Sequence, residues 1–153
     1  MSSSTRSLFV RDATPTDSEV VERFMTLSRT ESLQYRGSTF DPPVSNTNET
    51  LTLVGGIGTT VMGTLRAVGT VPGTWFIEQV FVLKECREVG IADALMLRAL
   101  AVLSDRHATR IESSAMPGDR ATKNLFERHG LVAQTILVGK SLSDPSTEAR
   151  ASQ

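Results

Sequence analysis

The stretch that decides the fold is IEQVFVLKECREVGIADALMLRALAVL, residues 77–103. Its first part is rich in β-branched and aromatic residues and alternates with polar ones, which predicts a strand. After Gly90 the apolar residues recur at i, i+3, i+4 and i+7, which predicts an amphipathic helix with one buried face. The chain therefore passes from a strand into a helix across a short turn that ends at Gly90.

The same patterns extend outward in both directions from this stretch. They predict strand, helix, long loop, three strands in sequence, then helix, strand, helix and strand. The expected fold class is α/β (α+β): one mixed, largely antiparallel sheet flanked by helices. The expected elements are a strand at 8–14, a helix at about 17–30 capped by Thr14 or Thr16, a hairpin turning at Gly55 and Gly56, strands to 71 and at 75–83, a helix to 103, a strand at 109–111, a helix at 120–129 and a strand at 131–142.

Length and composition limit the class of protein. The 153 residues fit one domain, which we place at 8–142, between a flexible N-terminus at 1–7 and a polar tail at 143–153 that we expect to be disordered. The formal net charge is −1, and the basic residues are scattered, which argues against nucleic acid as a partner. No apolar run is long enough for a membrane span, and the polar start lacks a secretory signal, so we expect a cytoplasmic protein.

The turn at Gly90 has the properties of an anion site. The first N–H groups of a helix lack partners within that helix, and the helix dipole places its positive end there. Arg87 adds a guanidinium, and Gly90 has no Cβ to keep phosphate oxygens away from the backbone. This predicts a pyrophosphate site, although a glycine that merely completes a turn remains the simpler alternative.

At this point the sequence resembles a known family. Residues 77–103 are similar to the acetyl-coenzyme-A-binding core of the GNAT superfamily of N-acetyltransferases, in which R/Q-x-x-G-x-G/A opens a helix; here these positions are Arg87, Gly90 and Ala92. GDRATKNLFERHGL, residues 118–131, resembles the family's Asn-x-x-Ala-x-x-Leu-Tyr-Glu-Lys-x-Gly-Phe helix. The order of elements agrees over residues 8–142.

The resemblance implies acetyl-coenzyme A as cosubstrate, with the pantetheine arm held by main-chain amides near Val82 and Leu83 and the pyrophosphate held by the turn. The implied cofactor-binding residues are Val80, Phe81, Val82, Leu83, Arg87, Glu88, Val89, Gly90, Ile91, Ala92, Asp119, Lys123 and Phe126. No metal is expected, because His107 and His129 are separated in the sequence and have no other metal-ligating residues beside them.

Transfer of an acetyl group to an amine needs a base, because a lysine-type amine has a pKa of about 10.4. The candidate is Glu78, where several small-amine acetyltransferases of the superfamily carry a glutamate, and we expect it to share one strand face with Val80 and Val82. Glu112 on the next strand is the reserve. The Val82 N–H is the expected oxyanion donor.

One position departs from the family pattern. The tyrosine that usually protonates the departing thiolate is Phe126 here, which should slow the reaction rather than abolish it, because a thiol of pKa about 8.5 is already a fair leaving group. The only tyrosine, Tyr35, lies in the long loop with Glu31 and Asp41, and these three are the candidate substrate residues.

Three functions therefore remain open. The first is an N-acetyltransferase acting on a primary amine of a small molecule or a protein. The second is a GNAT-fold module that binds coenzyme A or another ligand as a sensor without turnover, which Phe126 favours. The third is a domain that contributes only to assembly. Homodimers are common in the superfamily, so a homodimer is a further expectation from the resemblance.

Overall fold

The computed structural model describes residues 7–35, 43–140 and 142. The segments predicted to be flexible, 1–7 and 143–153, fall outside this part apart from Ser7, and so does Asp41. The strands are β1 (Leu8–Asp12), β2 (Thr50–Ile57), β3 (Thr60–Val71), β4 (Thr74–Val82) and β5 (Arg110–Glu112). The helices are α1 (Ser18–Ser32), α2 (Ile91–Asp105) and α3 (Arg120–Arg128), with short 3-10 turns at Pro15–Asp17 and Lys84–Cys86.

The five strands form one sheet in the order β1-β2-β3-β4-β5. Consecutive strands from β1 to β4 pair antiparallel, whereas β4 and β5 pair parallel because α2 connects them as a crossover. The sheet is therefore mixed and largely antiparallel, with helices packed on it, and the expected fold class is confirmed.

The helices cover both faces of the sheet. On one face α1 packs against β3 and β4, and the rings of Phe24 and Phe81 lie 5.5 Å apart. On the other face α2 packs across β1 to β4 and contributes most of its buried side chains to the main core. Leu125 and Phe126 of α3 join that same core.

Two glycines set how closely α2 approaches the sheet. Gly55 and Gly63 are direct partners across β2 and β3. A Cβ on either one would come within 3.4 Å of the Ile91 side chain in the first turn of α2. The absence of side chains at this pair therefore lets the start of α2 lie close to the strands.

The start of α1 is held by a network around a buried carboxylate. Thr14 is the N-cap residue of the 3-10 turn that leads into the helix, as expected from the sequence, and it forms a capping box with Asp17. Asp17 accepts hydrogen bonds from the Thr14 N–H at 2.7 Å and from the Arg11 guanidinium at 2.7 and 3.1 Å. These bonds, first that from Arg11 and then that from the Thr14 backbone, lower the pKa of Asp17 from 3.8 to about 2.

Two sequence-based expectations about strands are wrong. The first hairpin turns at Gly58, whose φ is 67°, whereas Gly55 and Gly56 lie within β2 beside a bulge. The strand expected at 131–142 is absent over residues 131–140, although the apolar pattern there favours one. Ile136, Leu137 and Val138 are exposed, because this segment finds no neighbouring strand among the described residues to pair with. None of the described helices is both long and apolar enough to cross a bilayer.

Candidate active site

Glu78 lies in a β-bulge in the middle of β4. Ile77 pairs with Ala67 and Gln79 pairs with Arg66, so Glu78 is the extra residue between them. Its Oε1 accepts a hydrogen bond of 2.8 Å from the Arg66 Nε, and both side chains are partly buried. Among the described residues nothing donates to Oε2, so one carboxylate oxygen is fixed while the other is available.

The bulge changes which face of the sheet Glu78 lies on. Val80 and Val82 pack against the main core, on the α2 face. Arg66 alternates with the core residues Leu65 and Ala67, so its side chain lies on the α1 face, and Glu78 reaches it there. The expectation that Glu78 shares a face with Val80 and Val82 is therefore wrong, because the extra residue breaks the alternation.

Beyond the bulge, β4 and β5 separate. Their last paired residues are Phe76 and Glu112, and the Ser113 hydroxyl then donates to the Ile77 carbonyl at 2.7 Å. The chain after Ser113 is not part of a strand, while β4 continues to Val82. The β5 side of β4 from Glu78 to Val82 thus has no strand partner within the described residues, and a wedge opens there.

The main-chain groups of Val82 point into this wedge. The Leu83 N–H donates to the Met62 carbonyl at 2.9 Å, which makes Leu83 and Met62 a hydrogen-bonded pair. In an antiparallel ladder the neighbouring pair, Val82 with Gly63, is then of the non-hydrogen-bonded type, so the Val82 N–H and C=O face away from β3. By the same alternation Val80 also faces the wedge. Of the predicted pair, Val82 rather than Leu83 is free to bind a ligand through its amide.

The turn between β4 and α2 presents a run of free amides. Among the described residues the N–H groups from Glu88 to Asp93 have no hydrogen-bond acceptor, and the first bond of the helix is from Ala94 N–H to the Gly90 carbonyl. Glu88 and Gly90 both have positive φ, 73° and 93°. Left-handed residues in such a run turn neighbouring N–H groups toward one side and form an anion-binding concavity. The backbone here has the form expected of a phosphate site.

Gly90 is required here by its conformation. A Cβ at this position would have space, since the nearest atom is Leu8 Cδ1 at 3.9 Å, but the φ of 93° is one that residues with a side chain rarely adopt. The sequence predicted a glycine here because it leaves room for phosphate oxygens. The positive φ is a second reason for glycine at this position. The left-handed backbone at Gly90 fits the anion-binding form of this turn.

The negative charge of Asp93, in the first turn of α2, is compensated by α3. Its carboxylate accepts from the Arg128 guanidinium at 3.2 and 3.1 Å and lies 2.7 Å from the His129 Nε2. The hydrogen bond from Arg128, with a further contribution from His129, lowers the pKa of Asp93. The paired carboxylate therefore opposes the positive end of the helix less than a free one would.

Arg87 occupies a different position from the one expected. Its Nε donates to the Val82 carbonyl at 2.7 Å, and its Nη2 donates to both carboxylate oxygens of Glu31 at 2.9 and 2.8 Å. Its guanidinium carbon lies 5.4 Å from the centre of the Phe81 ring. The side chain thus joins β4 to the end of α1 instead of facing the free amides.

A cavity of about 420 Å³ lies beside this ion pair. It is lined by Thr30, Glu31, Gln34, Tyr35, Lys84 and Arg87. Two of the candidate substrate residues, Glu31 and Tyr35, are therefore brought together at one place with Arg87. The Tyr35 ring also approaches the turn before α3, 3.6 Å from where a Cβ of Gly118 would stand.

Of the three residues on α3 predicted to bind the cofactor, two make contacts within the fold and one is exposed. Asp119 is the N-cap residue and accepts from the Thr122 N–H at 3.1 Å and from the Thr122 hydroxyl at 2.7 Å. Lys123 is exposed, and Phe126 is buried in the main core. A buried phenylalanine donates no proton, so nothing at position 126 replaces the tyrosine that the family motif carries.

Sequence reasoning missed two residues that the structure places at the site. Arg66 meets Glu78 across the β3–β4 hairpin, but counting back from the turn, where Val71 pairs with Thr74, would have placed Ala67 opposite this carboxylate, so only the register shifts in the ladder bring Arg66 there. Lys84 lines the cavity but lies on a 3-10 turn that the sequence pattern does not signal.

Comparison with known proteins identifies the family to which this site belongs. The model of the acetyltransferase (GNAT) family matches residues 15–131. The chain belongs to this family. No curated protein matches it at the level of sequence. The GNAT match includes β4, the turn with the free amides, α2 and α3, and it supports an N-acetyltransferase with acetyl-coenzyme A as cosubstrate.

Solved structures share the fold at low sequence identity. The aminoglycoside N-acetyltransferase AAC(6')-Iy, in complex with CoA, superposes with a TM-score of 0.68 at 13% identity, over 93% of this chain and all of that one. A transcriptional regulator from Bacillus halodurans C-125 superposes with a TM-score of 0.66 at 17% identity, over 89% of this chain and all of that one. The aminoglycoside acetyltransferase meta-AAC0020 from an uncultured soil metagenomic sample, in complex with sisomicin, superposes with a TM-score of 0.65 at 14% identity, over 89% of this chain and 95% of that one. At these identities the likeness shows the fold alone.

Proposed function

We propose that this GNAT domain transfers the acetyl group of acetyl-coenzyme A to a primary amine of a small molecule, with Glu78 as general base. The observation that carries the proposal is the open edge of β4 directly beside the free amides of Glu88 to Asp93. A strand edge for the pantetheine arm and an anion site for the pyrophosphate thus lie next to each other, and the residues fit coenzyme A.

Groups of this chain serve deprotonation of the amine and stabilisation of the tetrahedral intermediate, whose C–S bond then breaks; the departing coenzyme A thiolate takes its proton from water, because Phe126 donates none. Acetyl-coenzyme A supplies an activated thioester. An amine that arrives as ammonium must lose a proton before its nitrogen can attack the thioester carbonyl, and the free Oε2 of Glu78 takes that proton. Arg66 fixes the other oxygen and so orients the carboxylate. The Val82 N–H, facing the wedge, supports the negative charge that develops on the carbonyl oxygen.

A small amine is favoured as acceptor over a protein. The cavity at Glu31 and Tyr35, about 420 Å³, has the volume of a small-molecule site. Two of the solved structures that share the fold are aminoglycoside acetyltransferases, which makes aminoglycosides the first class to assay.

The test is release of coenzyme A thiol from acetyl-coenzyme A across a panel of amines that includes sisomicin. Glu78→Gln should lower kcat by about a hundredfold or more while coenzyme A binding by calorimetry stays unchanged. Glu112→Gln is the comparison variant, since Glu112 is the reserve base candidate, a partly exposed carboxylate on the neighbouring strand that also pairs with an arginine. Loss of activity in Glu112→Gln alone would assign the base to Glu112. Equal loss in both variants, or none in either, would argue against Glu78 as base.

A second candidate function is a coenzyme A sensor without turnover. The observation that favours it is Phe126, which is buried in the core where the family motif carries a tyrosine. Tight binding of coenzyme A with no thiol release on any amine of the panel would support the sensor and exclude the transferase. A chain that does not bind coenzyme A at all would fit only a role in assembly.

A further inference from the structure

The Arg87 side chain is committed to three groups at the mouth of the wedge. Nε donates to the Val82 carbonyl, Nη2 forms a two-oxygen ion pair with Glu31, and the guanidinium lies over the Phe81 ring. The proposed pyrophosphate site begins at the next residue, Glu88. A pantetheine arm in the wedge would also need the Val82 carbonyl as a hydrogen-bond acceptor. Arg87 cannot keep all of these contacts once a diphosphate lies on the adjacent amides.

The Arg87–Glu31 ion pair is weaker than the contact that Arg87 would make with a diphosphate. Both side chains of the pair are more than a third exposed, 39% and 37%, so water screens their attraction. Ion pairs of this kind favour the paired state by no more than about fivefold. A guanidinium binds phosphate through two parallel charge-assisted hydrogen bonds, which are stronger. A diphosphate beside Arg87 therefore draws the guanidinium away from Glu31.

The released carboxylate stays on the wall of the cavity. Glu31 lies in the last turn of α1, with Thr30, Gln34 and Tyr35 around the same space. A carboxylate without its arginine partner offers two acceptor oxygens and a full negative charge to a cation. The natural ligand for it is the ammonium of the amine that is to be acetylated.

We propose that binding of coenzyme A breaks the Arg87–Glu31 ion pair and thereby releases Glu31 to bind the ammonium group of the acceptor amine. The inference rests on the proposed function, and it adds an order of events: the acyl donor prepares the amine site. It also assigns Glu31 as a specificity residue for cationic acceptors. Because coupling between two ligands is reciprocal, a bound amine strengthens coenzyme A binding by the same factor.

The first test measures coenzyme A affinity by calorimetry in a double-mutant cycle. Glu31→Gln removes the pair that wild type must break, so it should strengthen coenzyme A binding by about two- to fivefold. In an Arg87→Gln background the same substitution should have no effect. Glu85→Gln is the matched control for charge. Glu85 lies in the 3-10 turn Lys84–Cys86, just before Arg87, and makes no ion pair within the described residues. It should change the affinity less than twofold.

The second test uses the amine with the highest turnover in the panel described above. Glu31→Gln should raise KM for that amine about tenfold with little change in kcat, whereas Glu85→Gln should leave KM unchanged. The proposal is overturned if Glu31→Gln only matches Glu85→Gln, if its effect persists without Arg87, or if KM does not move. Absence of coenzyme A binding, or of turnover on every amine, would instead refute the proposed function itself.

Discussion

The Arg66 guanidinium holds the Glu78 carboxylate by a single hydrogen bond, from Nε to Oε1 at 2.8 Å. The bulge in β4 makes this contact, because it places Glu78 on the same face as Arg66 instead of on the core face. A carboxylate held by one oxygen keeps the other for proton transfer. Arg66 is therefore a positioning residue for the proposed base.

Loosening Glu78 should lower the catalytic rate. Arg66→Met keeps much of the length of the side chain but removes the hydrogen bond, and we expect kcat to fall about tenfold or more, because the base is no longer held in one geometry. The affinity for coenzyme A should stay unchanged in calorimetry. Arg110→Met is the control, since Arg110 pairs with Glu112 through a similar contact of 2.6 Å on the neighbouring strand. An unchanged or higher kcat in Arg66→Met would contradict the positioning role.

Gly90→Ala should weaken coenzyme A binding more than it weakens the fold. The φ of 93° costs alanine about 1 kcal/mol, and relief of that strain would turn the free amides out of line. Gly130→Ala is a matched control, because Gly130 has a φ of 87°, lies after α3, and has no atom within 4 Å of where a Cβ would stand. Both variants should lose similar stability in urea unfolding. Only Gly90→Ala should lose coenzyme A affinity, by about tenfold; equal affinities would show that the turn does not bind the pyrophosphate.

Gly63→Ala should destabilise the protein by about 1–3 kcal/mol. A Cβ at Gly63 would stand 2.7 Å from the Phe81 carbonyl oxygen and 3.4 Å from the Ile91 side chain, so β4 or the start of α2 must move. Gly139→Ala serves as the control, since nothing lies within 4 Å there. The measurement is the free energy of unfolding from urea titration. Surface substitutions usually change the free energy of unfolding by no more than about 0.5 kcal/mol. If Gly63→Ala differs from the control by no more than that, stability does not depend on the close approach of α2.

Asp17→Asn should show a pH-dependent loss of stability. The pKa of Asp17 is lowered from 3.8 to about 2 in the folded protein, so its ionised form stabilises the fold above pH 3.8. This contribution is lost as the pH falls through the window from 3.8 to about 2. At pH 7 the substitution should cost about 1–2 kcal/mol, because it removes the negative charge that accepts the hydrogen bonds from Arg11.

The check for Asp17 is urea unfolding of Asp17→Asn and wild type at pH 7 and at successively lower pH. The difference between them should shrink below about pH 4 and be mostly lost by about pH 2, where the Asp17 carboxyl is protonated in the unfolded state and half protonated in the folded state. Asp12→Asn is the control, because Asp12 is an exposed carboxylate at the end of β1. A cost that is constant with pH would assign the effect to packing rather than to the charge.

Local patterns in the sequence were sufficient for much of the fold. The change of apolar spacing at Gly90 predicts the passage from β4 to α2, and the Thr14-Pro15 pair with Asp17 predicts the start of α1; both are confirmed. These features depend on interactions between residues a few positions apart. The position of Gly90 before a helix likewise predicted the free amides, since every helix start has them.

What local patterns could not predict depends on neighbours that are distant in the chain. The strand expected at 131–142 has the right periodicity, but a strand forms only where a partner edge receives it, and the described residues supply none. The bulge at Glu78 arises from register against β3, so alternation alone put this side chain on the wrong face.

Arg87 and Glu31 show the same division between sequence and tertiary structure. The motif marks Arg87 as a candidate for phosphate, and the acidic character of Glu31 marks it for an amine. Only the packing of α1 against β4 brings these two residues, 56 positions apart, within 2.8 Å of each other. An electrostatic contact of this kind depends on distance in space, which the sequence of either segment does not contain.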